Sequence, residues 1–252
     1  MPFTATPQIT DIDIFDNITS GPRPEMFSPT SVTQLSNGNV VVAYTLNDNN
    51  AFDVRFSIFD PAGNRIGSEQ DLPDISVEFL SGEVYAYDDG FVITYLPTGD
   101  NAENLIEYAR FDNSGAVISN GVIVPRQDET FFLGDSSVFV QPDGTIYTIY
   151  NLVEDTPSGP IDETFLAVIS ANDQAAVPTE IPSAAGTILI GTIQLPDGNL
   201  MALSRSFKNG QAVATVRYDI IDPDIGAAVA SGEYSGVSLF NLEATMSDNG
   251  VL

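Results

Sequence analysis

The chain has 252 residues, of which 35 are acidic and 8 are basic, so its formal net charge is −27. Nucleic acids and anionic membranes are bound through clustered Lys and Arg, so we expect neither as a partner, and no apolar stretch is long enough for membrane insertion. The sequence has no Cys and no His, which excludes disulfides, thiolate sites, His-dependent triads and His-ligated metals.

In chain order, the predicted elements repeat with a period close to 53 residues. Asn-Gly or Asp-Gly turns recur with glycines 52 to 54 residues apart, at Asn37-Gly38, Asp89-Gly90, Asp143-Gly144, Asp197-Gly198 and Asn249-Gly250. Such dipeptides predict tight hairpins in which both turn positions adopt positive φ. Self-similarity at a fixed period of this size is typical of a repeat architecture.

Segments rich in Val, Ile, Tyr, Phe and Leu flank each turn and predict β-strands. The predicted first strands cover 31–35, 82–87, 136–140, 189–195 and 241–246, and the second strands cover 39–46, 91–96, 145–152 and 199–204. The predicted third strands cover 53–60, 105–112, 164–170 and 214–221. A short fourth strand follows, for example at 122–125.

Four antiparallel strands per repeat predict an all-β fold, a β-propeller built from four-stranded blades. One such sheet buries too little apolar surface to be stable alone and must stack on its neighbours. A string of small sandwiches, or one two-sheet sandwich, is the alternative. We predict a single repeat domain over 1–252, with repeats at about 30–73, 74–126, 132–183 and 186–235, and a split or incomplete unit from 1–29 and 236–252.

The two ends of the chain resemble two halves of one blade. Residues 11–17 resemble a third strand and its turn, and residues 241–252 resemble a first strand, its turn and the start of a second strand. Pairing of the two ends would close a propeller of about five blades and remove its exposed sheet edges. The alternative is that the polypeptide continues beyond Leu252 and the array is larger.

Two motifs carry a resemblance to a known group of proteins: LSNGNVVVAY at 35–44 and FDPAG at 59–63. They are similar to the repeats of large secreted bacterial surface proteins of the RTX and type I-secreted kind. In those repeats a Leu-x-(Asp/Asn)-Gly turn precedes an apolar strand that usually ends in Trp. This chain has Tyr44, Tyr95, Tyr150 and Ser204 near that place, and it lacks the calcium-binding nonapeptide. The resemblance implies an extracellular or cell-surface location, reached without a visible Sec signal peptide.

The predicted loop between the second and third strands is the candidate metal site. Its candidate ligands are Asp48, Asp53, Asp100, Asp155 and Asp162. Carboxylate oxygens in a loop suit Ca²⁺, which is the one cofactor that the sequence raises. The loops lack EF-hand spacing, so solvated acidic loops are the competing interpretation.

No catalytic residue is singled out by the sequence. The Asn and Asp residues of the recurrent turns are accounted for by turn geometry. Carboxylates in the irregular segments 126–129 and 155–163 are candidates for acid–base chemistry, with repeat connections as the alternative. Aromatic side chains that could stack on sugars, or form the core, are Tyr85, Tyr87, Tyr95, Phe131 and Phe132.

The regular repeat, the dispersed negative charge and the missing residue types together favour a non-enzymatic extracellular module. It would bind a protein or glycan surface, or act as a structural unit of an adhesin, appendage or other surface assembly. A first alternative is a subunit of a viral or filamentous particle that binds copies of itself. A second alternative is a carboxylate-dependent, glycoside-active enzyme, which needs two acids about 5–10 Å apart.

Overall fold

A computed structural model describes residues 25–26, 31–48, 51–72, 78–98, 104–125, 131–156, 159–181, 188–206, 214–237, 246–247 and 250–251. Every regular element within these ranges is a β-strand. No helix in this part of the chain has the length and apolar character needed to cross a membrane.

The strands form four antiparallel sheets, which we call blades 1 to 4, and a short C-terminal hairpin. Blade 1 contains β1 (Glu25–Met26), β2 (Ser31–Gln34), β3 (Val40–Asp48), β4 (Ala51–Phe59) and β5 (Arg65–Asp71). Blade 2 contains β6 (Glu78–Tyr87), β7 (Gly90–Thr98), β8 (Asn104–Asp112) and β9 (Val117–Pro125). Blade 3 contains β10 (Phe131–Val140), β11 (Ile146–Thr156), β12 (Gly159–Ile169) and β13 (Thr179–Glu180). Blade 4 contains β14 (Ile188–Gln194), β15 (Leu200–Ser206), β16 (Ala214–Asp222) and β17 (Ala227–Val237), and the hairpin contains β18 (Met246–Ser247) and β19 (Gly250–Val251).

Strands β1 and β2 together serve as the first strand of blade 1. Both pair with β3, β2 along its beginning and β1 along its end. Glu25 therefore belongs to blade 1, although the first predicted repeat begins at about residue 30. The predicted strand at 241–246 is described only at Met246, and residues 11–17 lie outside the described ranges.

The recurrent turns differ in type from the prediction. In blade 1, Gly38 N donates to Leu35 O and Leu35 N donates to Asn39 O, which closes a three-residue loop. Gly38 has a φ of +88°, whereas the only non-glycine with positive φ in the described part of the chain is Asp173. The expectation of positive φ at both turn positions is therefore wrong. A glycine in the left-handed region after a type I turn is the three-residue solution for a hairpin.

Blade 2 uses a shorter turn at the same place. Tyr87 pairs directly with Gly90, so its loop has two residues, and Gly90 keeps a strand conformation. A Cβ at Gly90 would lie 1.9 Å from the carbonyl oxygen of Phe111, so this position requires glycine for close approach of two strands.

The described residues divide into two compact units: 1–125 with 140–144, and 126–139 with 145–252. In the first unit, blades 1 and 2 pack through a core in which the ring of Phe56 lies 5.3 Å from that of Phe91 and 4.7 Å from that of Phe111. Edge-to-face rings of this kind contribute beyond the apolar area they bury. In the second unit, blades 3 and 4 pack through a mainly aliphatic core that includes Ile149 and Ile221. The predicted single domain stays a prediction.

Candidate functional site

The two edges of a blade face different surroundings. In the first unit, β6 of blade 2 packs against β2, β3 and β4 of blade 1. The described fourth strands, β5, β9, β13 and β17, instead pack chiefly against the third strand of their own blade. Blades that radiate from a centre approach most closely at their inner edges and diverge outward. The first strand of a blade is therefore its inner strand, and the fourth is its outer strand.

Two glutamates occupy the same place on the inner strands of blades 1 and 2. Glu25 of β1 pairs with Asn47, and Glu78 of β6 pairs with Thr98. Asn47 and Thr98 are equivalent, because each lies three residues after the recurrent tyrosine of its second strand. The register of both sheets thus gives Glu25 and Glu78 corresponding positions.

The inner strands of blades 1 and 2 touch each other through β2 and β6. The backbone N–H of Val84 donates a hydrogen bond to Ser31 Oγ at 3.0 Å, which joins β6 to β2. Glu25 lies six residues before Ser31, and Glu78 lies six residues before Val84. Asn47 and Thr98 lie near the ends of β3 and β7, so the register places the two glutamates at corresponding ends of blades 1 and 2.

Strand β6 is irregular between Glu78 and this contact, because its register with β7 shifts between Phe79 and Gly82. Register shifts of this kind re-aim side chains and are common beside active sites.

A third carboxylate lies farther along β6. Glu83 is exposed and accepts a hydrogen bond from the hydroxyl of Tyr85. Burial raises the pKa of Tyr85 above its ordinary value, and the charge of Glu83 raises it further, so this hydroxyl stays protonated and donates. Tyr85 and Tyr87 are both half-buried on this strand. The inner strand of blade 2 thus combines solvent-facing carboxylate with aromatic surface.

The recurrent tyrosines of the second strands are buried within the protein. Tyr44, Tyr95 and Tyr150 are each at most 3% exposed. Tyr44 donates to Glu69, and Tyr95 bonds Glu107. Burial raises the pKa of Tyr150 to about 12 and raises those of Tyr44 and Tyr95 as well. The prediction of Tyr95 as a core residue agrees with its position.

Three arginines of the third strands also bind other groups of the protein. Each projects from a central position of its blade and binds an acceptor of the protein: Arg55 Nη1 to Glu69 Oε1 at 2.8 Å, Arg110 Nη1 to Gly144 O, and Arg217 Nε to Asp219 Oδ2 at 3.0 Å. Arg110 and Asp219 are buried. These three side chains are therefore engaged by groups of the protein itself.

The candidate calcium ligands do not lie in loops as predicted. Strand β3 runs to Asp48 and β4 already contains Asp53, while β11 and β12 contain Asp155 and Asp162. Asp100 lies outside the described ranges, and nothing is described of the other four side chains.

Within the described ranges, no group of three or more acidic side chains could hold a metal ion. Calcium binding stays a prediction.

The sequence did contain a signal for Glu25 and Glu78. The sequence Glu25-Met26-Phe27-Ser28 is matched by Glu78-Phe79-Leu80-Ser81. The two segments lie 53 residues apart, which is the repeat period. An acid, two apolar residues and a serine thus recur in register. The sequence analysis instead named two irregular segments as candidates for acid–base chemistry. Residues 126–129 lie outside the described ranges, and residues 155–163 belong to the hairpin of β11 and β12.

Comparison with known proteins gives similarity of structure alone. No protein-family model matches the chain, and no curated protein sequence matches it. Among solved structures, it is similar to an α-L-arabinanase of Penicillium chrysogenum complexed with arabinobiose, with 11% identity over 89% of this chain and 73% of that chain, at a TM-score of 0.55. It is also similar to a puromycin hydrolase, with 15% identity over 91% of this chain and 35% of that chain, at a TM-score of 0.57. A third similar structure is the polysaccharide lyase Uly1, with 12% identity over 88% of this chain and 53% of that chain, at a TM-score of 0.51.

These similarities, together with the four sheets, confirm the predicted fold class: the chain is an all-β protein with the β-propeller fold and four-stranded antiparallel blades. The segments predicted to close the ring by pairing, near both ends of the chain, lie largely outside the described ranges.

The functional prediction needs correction. A non-enzymatic binding or structural module was expected because the repeat is regular and His and Cys are absent. The similar solved structures named above are an arabinanase, a puromycin hydrolase and a polysaccharide lyase, so a regular repeat of blades is no argument against catalysis. The prediction that the chain is not an enzyme is wrong for the same reason, and the glycoside-active alternative is the better one. The resemblance to RTX repeats and the extracellular location stay predictions.

Proposed function

We propose that this chain is a carbohydrate-active enzyme that hydrolyses glycosidic bonds with two carboxyl groups, those of Glu25 and Glu78. The observation that carries the proposal is their shared register on the first strands of two blades that pack against each other. The arabinanase and the polysaccharide lyase of the same fold both act on saccharides by their names, which supports a saccharide substrate.

Carboxyl groups suit the residue types of this chain. With no His and no Cys, the ordinary acid–base groups left are Asp, Glu, Tyr and Lys. The tyrosines described above are held by burial in their protonated form. Glycoside hydrolysis needs only a carboxylic acid and a carboxylate, placed about 5–10 Å apart. The proposal requires the carboxyl groups of Glu25 and Glu78 to lie at this spacing.

The reaction would use the pair as follows. One carboxylic acid gives its proton to the glycosidic oxygen as the bond from that oxygen to the anomeric carbon breaks. The other carboxylate takes a proton from water, whose oxygen forms the new bond to the anomeric carbon. The products are two shorter saccharides, and a proton exchange with solvent restores the starting protonation. Tyr85 and Tyr87, half-buried on β6, offer aromatic surface for a sugar ring.

The test is release of reducing ends from linear arabinan, xylan and other glycans by the purified chain. Glu25→Gln and Glu78→Gln keep the size of each side chain and remove its acid–base function. We expect each variant to lower kcat by a factor of about 10²–10⁴, the usual contribution of one acid–base group. The midpoint of urea unfolding should stay unchanged.

Glu180→Gln is the matched control, because Glu180 is an exposed glutamate on the outer strand β13. Its activity should equal that of the unaltered chain. Failure to cleave any glycan, or full activity in both the Glu25→Gln and Glu78→Gln variants, would overturn the proposal.

A further inference from the structure

The inner strands of the blades carry charge of one sign. The described first strands, β1, β2, β6, β10 and β14, contain no Lys and no Arg. Three of them contain acids, which are Glu25, Glu78, Glu83 and Asp135. A ligand that reaches one of these inner strands therefore meets no basic residue of that strand, and on β6 it meets the exposed carboxylate of Glu83.

Two arginines of the third strands, Arg55 and Arg217, are paired with acids of the protein. Arg55 binds Glu69 and also lies 2.7 Å from Asp71 Oδ1. Arg217 binds Asp219, as described above, and lies 3.6 Å from Glu233. Together with the 35 acids against 8 bases of the whole sequence, these ion pairs leave a field that attracts cations and repels anions.

A saccharide that carries carboxylate or sulfate groups would pay a double penalty at such a site. Its anionic groups would be repelled by the inner-strand carboxylates, and they would lose water without gaining a cationic partner. A neutral saccharide has the complementary chemistry, because its hydroxyls donate hydrogen bonds to carboxylates and its ring faces stack on tyrosines such as Tyr85.

We propose that the site accepts neutral saccharides and rejects polyuronates and sulfated glycans. This inference rests on the proposed function and narrows its substrate class. It also separates the chain from elimination chemistry on uronic acids, in which the substrate carboxylate must be neutralised before a proton beside it is removed.

The test compares two derivatives of the same glycan, linear arabinan modified to equal extent with carboxymethyl groups or with hydroxyethyl groups. The two substituents are similar in size, and only the first is charged. We expect kcat/KM on the carboxymethyl form to be at least about tenfold lower at 50 mM salt, and the gap to narrow at 500 mM salt as screening shortens the range of the repulsion. The hydroxyethyl form should show no such salt dependence.

Binding gives a second readout that does not need turnover. Affinity electrophoresis of the Glu78→Gln variant in gels containing arabinan, xylan, polygalacturonate or alginate should show retardation by the neutral polymers alone. Equal rates on the two arabinan derivatives, or retardation by the polyuronates, would overturn the inference.

The outcomes also separate this inference from the proposed function. Cleavage of polygalacturonate or alginate that is lost in Glu25→Gln and Glu78→Gln would leave the catalytic pair standing and remove the neutral-substrate inference. No cleavage of any glycan, neutral or acidic, would remove the proposed function and the inference with it.

Discussion

Blades 1 and 4 place different side chains on the same three strands. In blade 1, Tyr44 pairs with Arg55, and Arg55 pairs with Asp71. In blade 4, Ser204 pairs with Arg217, and Arg217 pairs with Glu233, at corresponding positions. The backbone register is thus shared, while a large buried ring in one blade is replaced by a hydroxymethyl group in the other.

Where serine replaces the tyrosine, the arginine of the third strand also has a different partner. Ser57 of blade 1 corresponds to Asp219 of blade 4, which is completely buried. Arg217 reaches Asp219 with Nε and Nη2, at 3.0 to 3.2 Å. The same sheet position is thus stabilised in two ways. Blade 1 uses a tyrosine that bonds an acid on the outer strand, and blade 4 uses a serine next to an ion pair within the third strand.

The largest effect should come from removing the cation of the internal pair. Arg217→Met leaves the Asp219 carboxylate buried without a partner, and we expect a loss of about 3 kcal/mol in the free energy of unfolding. Urea denaturation followed by circular dichroism measures it. Arg55→Met is the matched control and should cost only about 1 kcal/mol, because its partner Asp71 is 73% exposed and its partner Glu69 keeps the hydrogen bond from Tyr44.

A double variant sharpens this prediction. Arg217→Met combined with Asp219→Leu removes both charges, and we expect it to be more stable than Arg217→Met alone. Equal losses in Arg217→Met and Arg55→Met, or a double variant less stable than the single one, would break the comparison between the two blades.

An intermediate effect is expected at the tyrosine of blade 1. Tyr44→Phe removes the hydroxyl that bonds Glu69 and leaves the ring in place, so we expect a loss of about 1.5 kcal/mol in unfolding free energy. Tyr85→Phe removes a hydroxyl bonded to the exposed Glu83 and should cost less than half as much. Urea titration measures the unfolding free energy of both variants. A loss in Tyr85→Phe as large as that in Tyr44→Phe would contradict this reasoning.

The smallest effect belongs to the serine of blade 4. Ser204 is 1% exposed, and its Oγ has no hydrogen-bond partner in the part of the chain that the structure describes. Ser204→Ala removes an unsatisfied buried hydroxyl, so we expect a change within about 0.5 kcal/mol, toward greater stability. Thermal unfolding is sensitive enough to detect the sign, and a clear fall in Tm would show that this hydroxyl is bonded.

Much of the fold was predictable because it depends on local rules. The turn dipeptides and the Val- and Tyr-rich segments gave the strands and their four-stranded grouping. The turn type was not predictable from the dipeptide, because a loop such as that at Gly38 is set by the register of its whole hairpin. The hairpin ends were mispredicted as polar loops, since cross-strand pairing extends strands through residues such as Asp48 and Asp155, whose own strand propensity is low.

The candidate site was harder to predict than the fold. Glu25 and Glu78 were visible as a recurrence at the repeat period, yet one of them lay outside the predicted repeats. With 35 acids in the chain, spacing alone could not select a pair. The selection came from strand pairing, which shows that both glutamates hold one register on the first strands of two blades that pack against each other.

The central claim is that Glu25 and Glu78 act as one catalytic pair. The most direct measurement compares kcat of Glu25→Gln, Glu78→Gln and the double variant on the best glycan substrate. Residues that act as a unit lose little more together than alone, so we predict that the double variant retains about the activity of the weaker single variant. Losses that multiply in the double variant, as from two independent sites, would contradict the account.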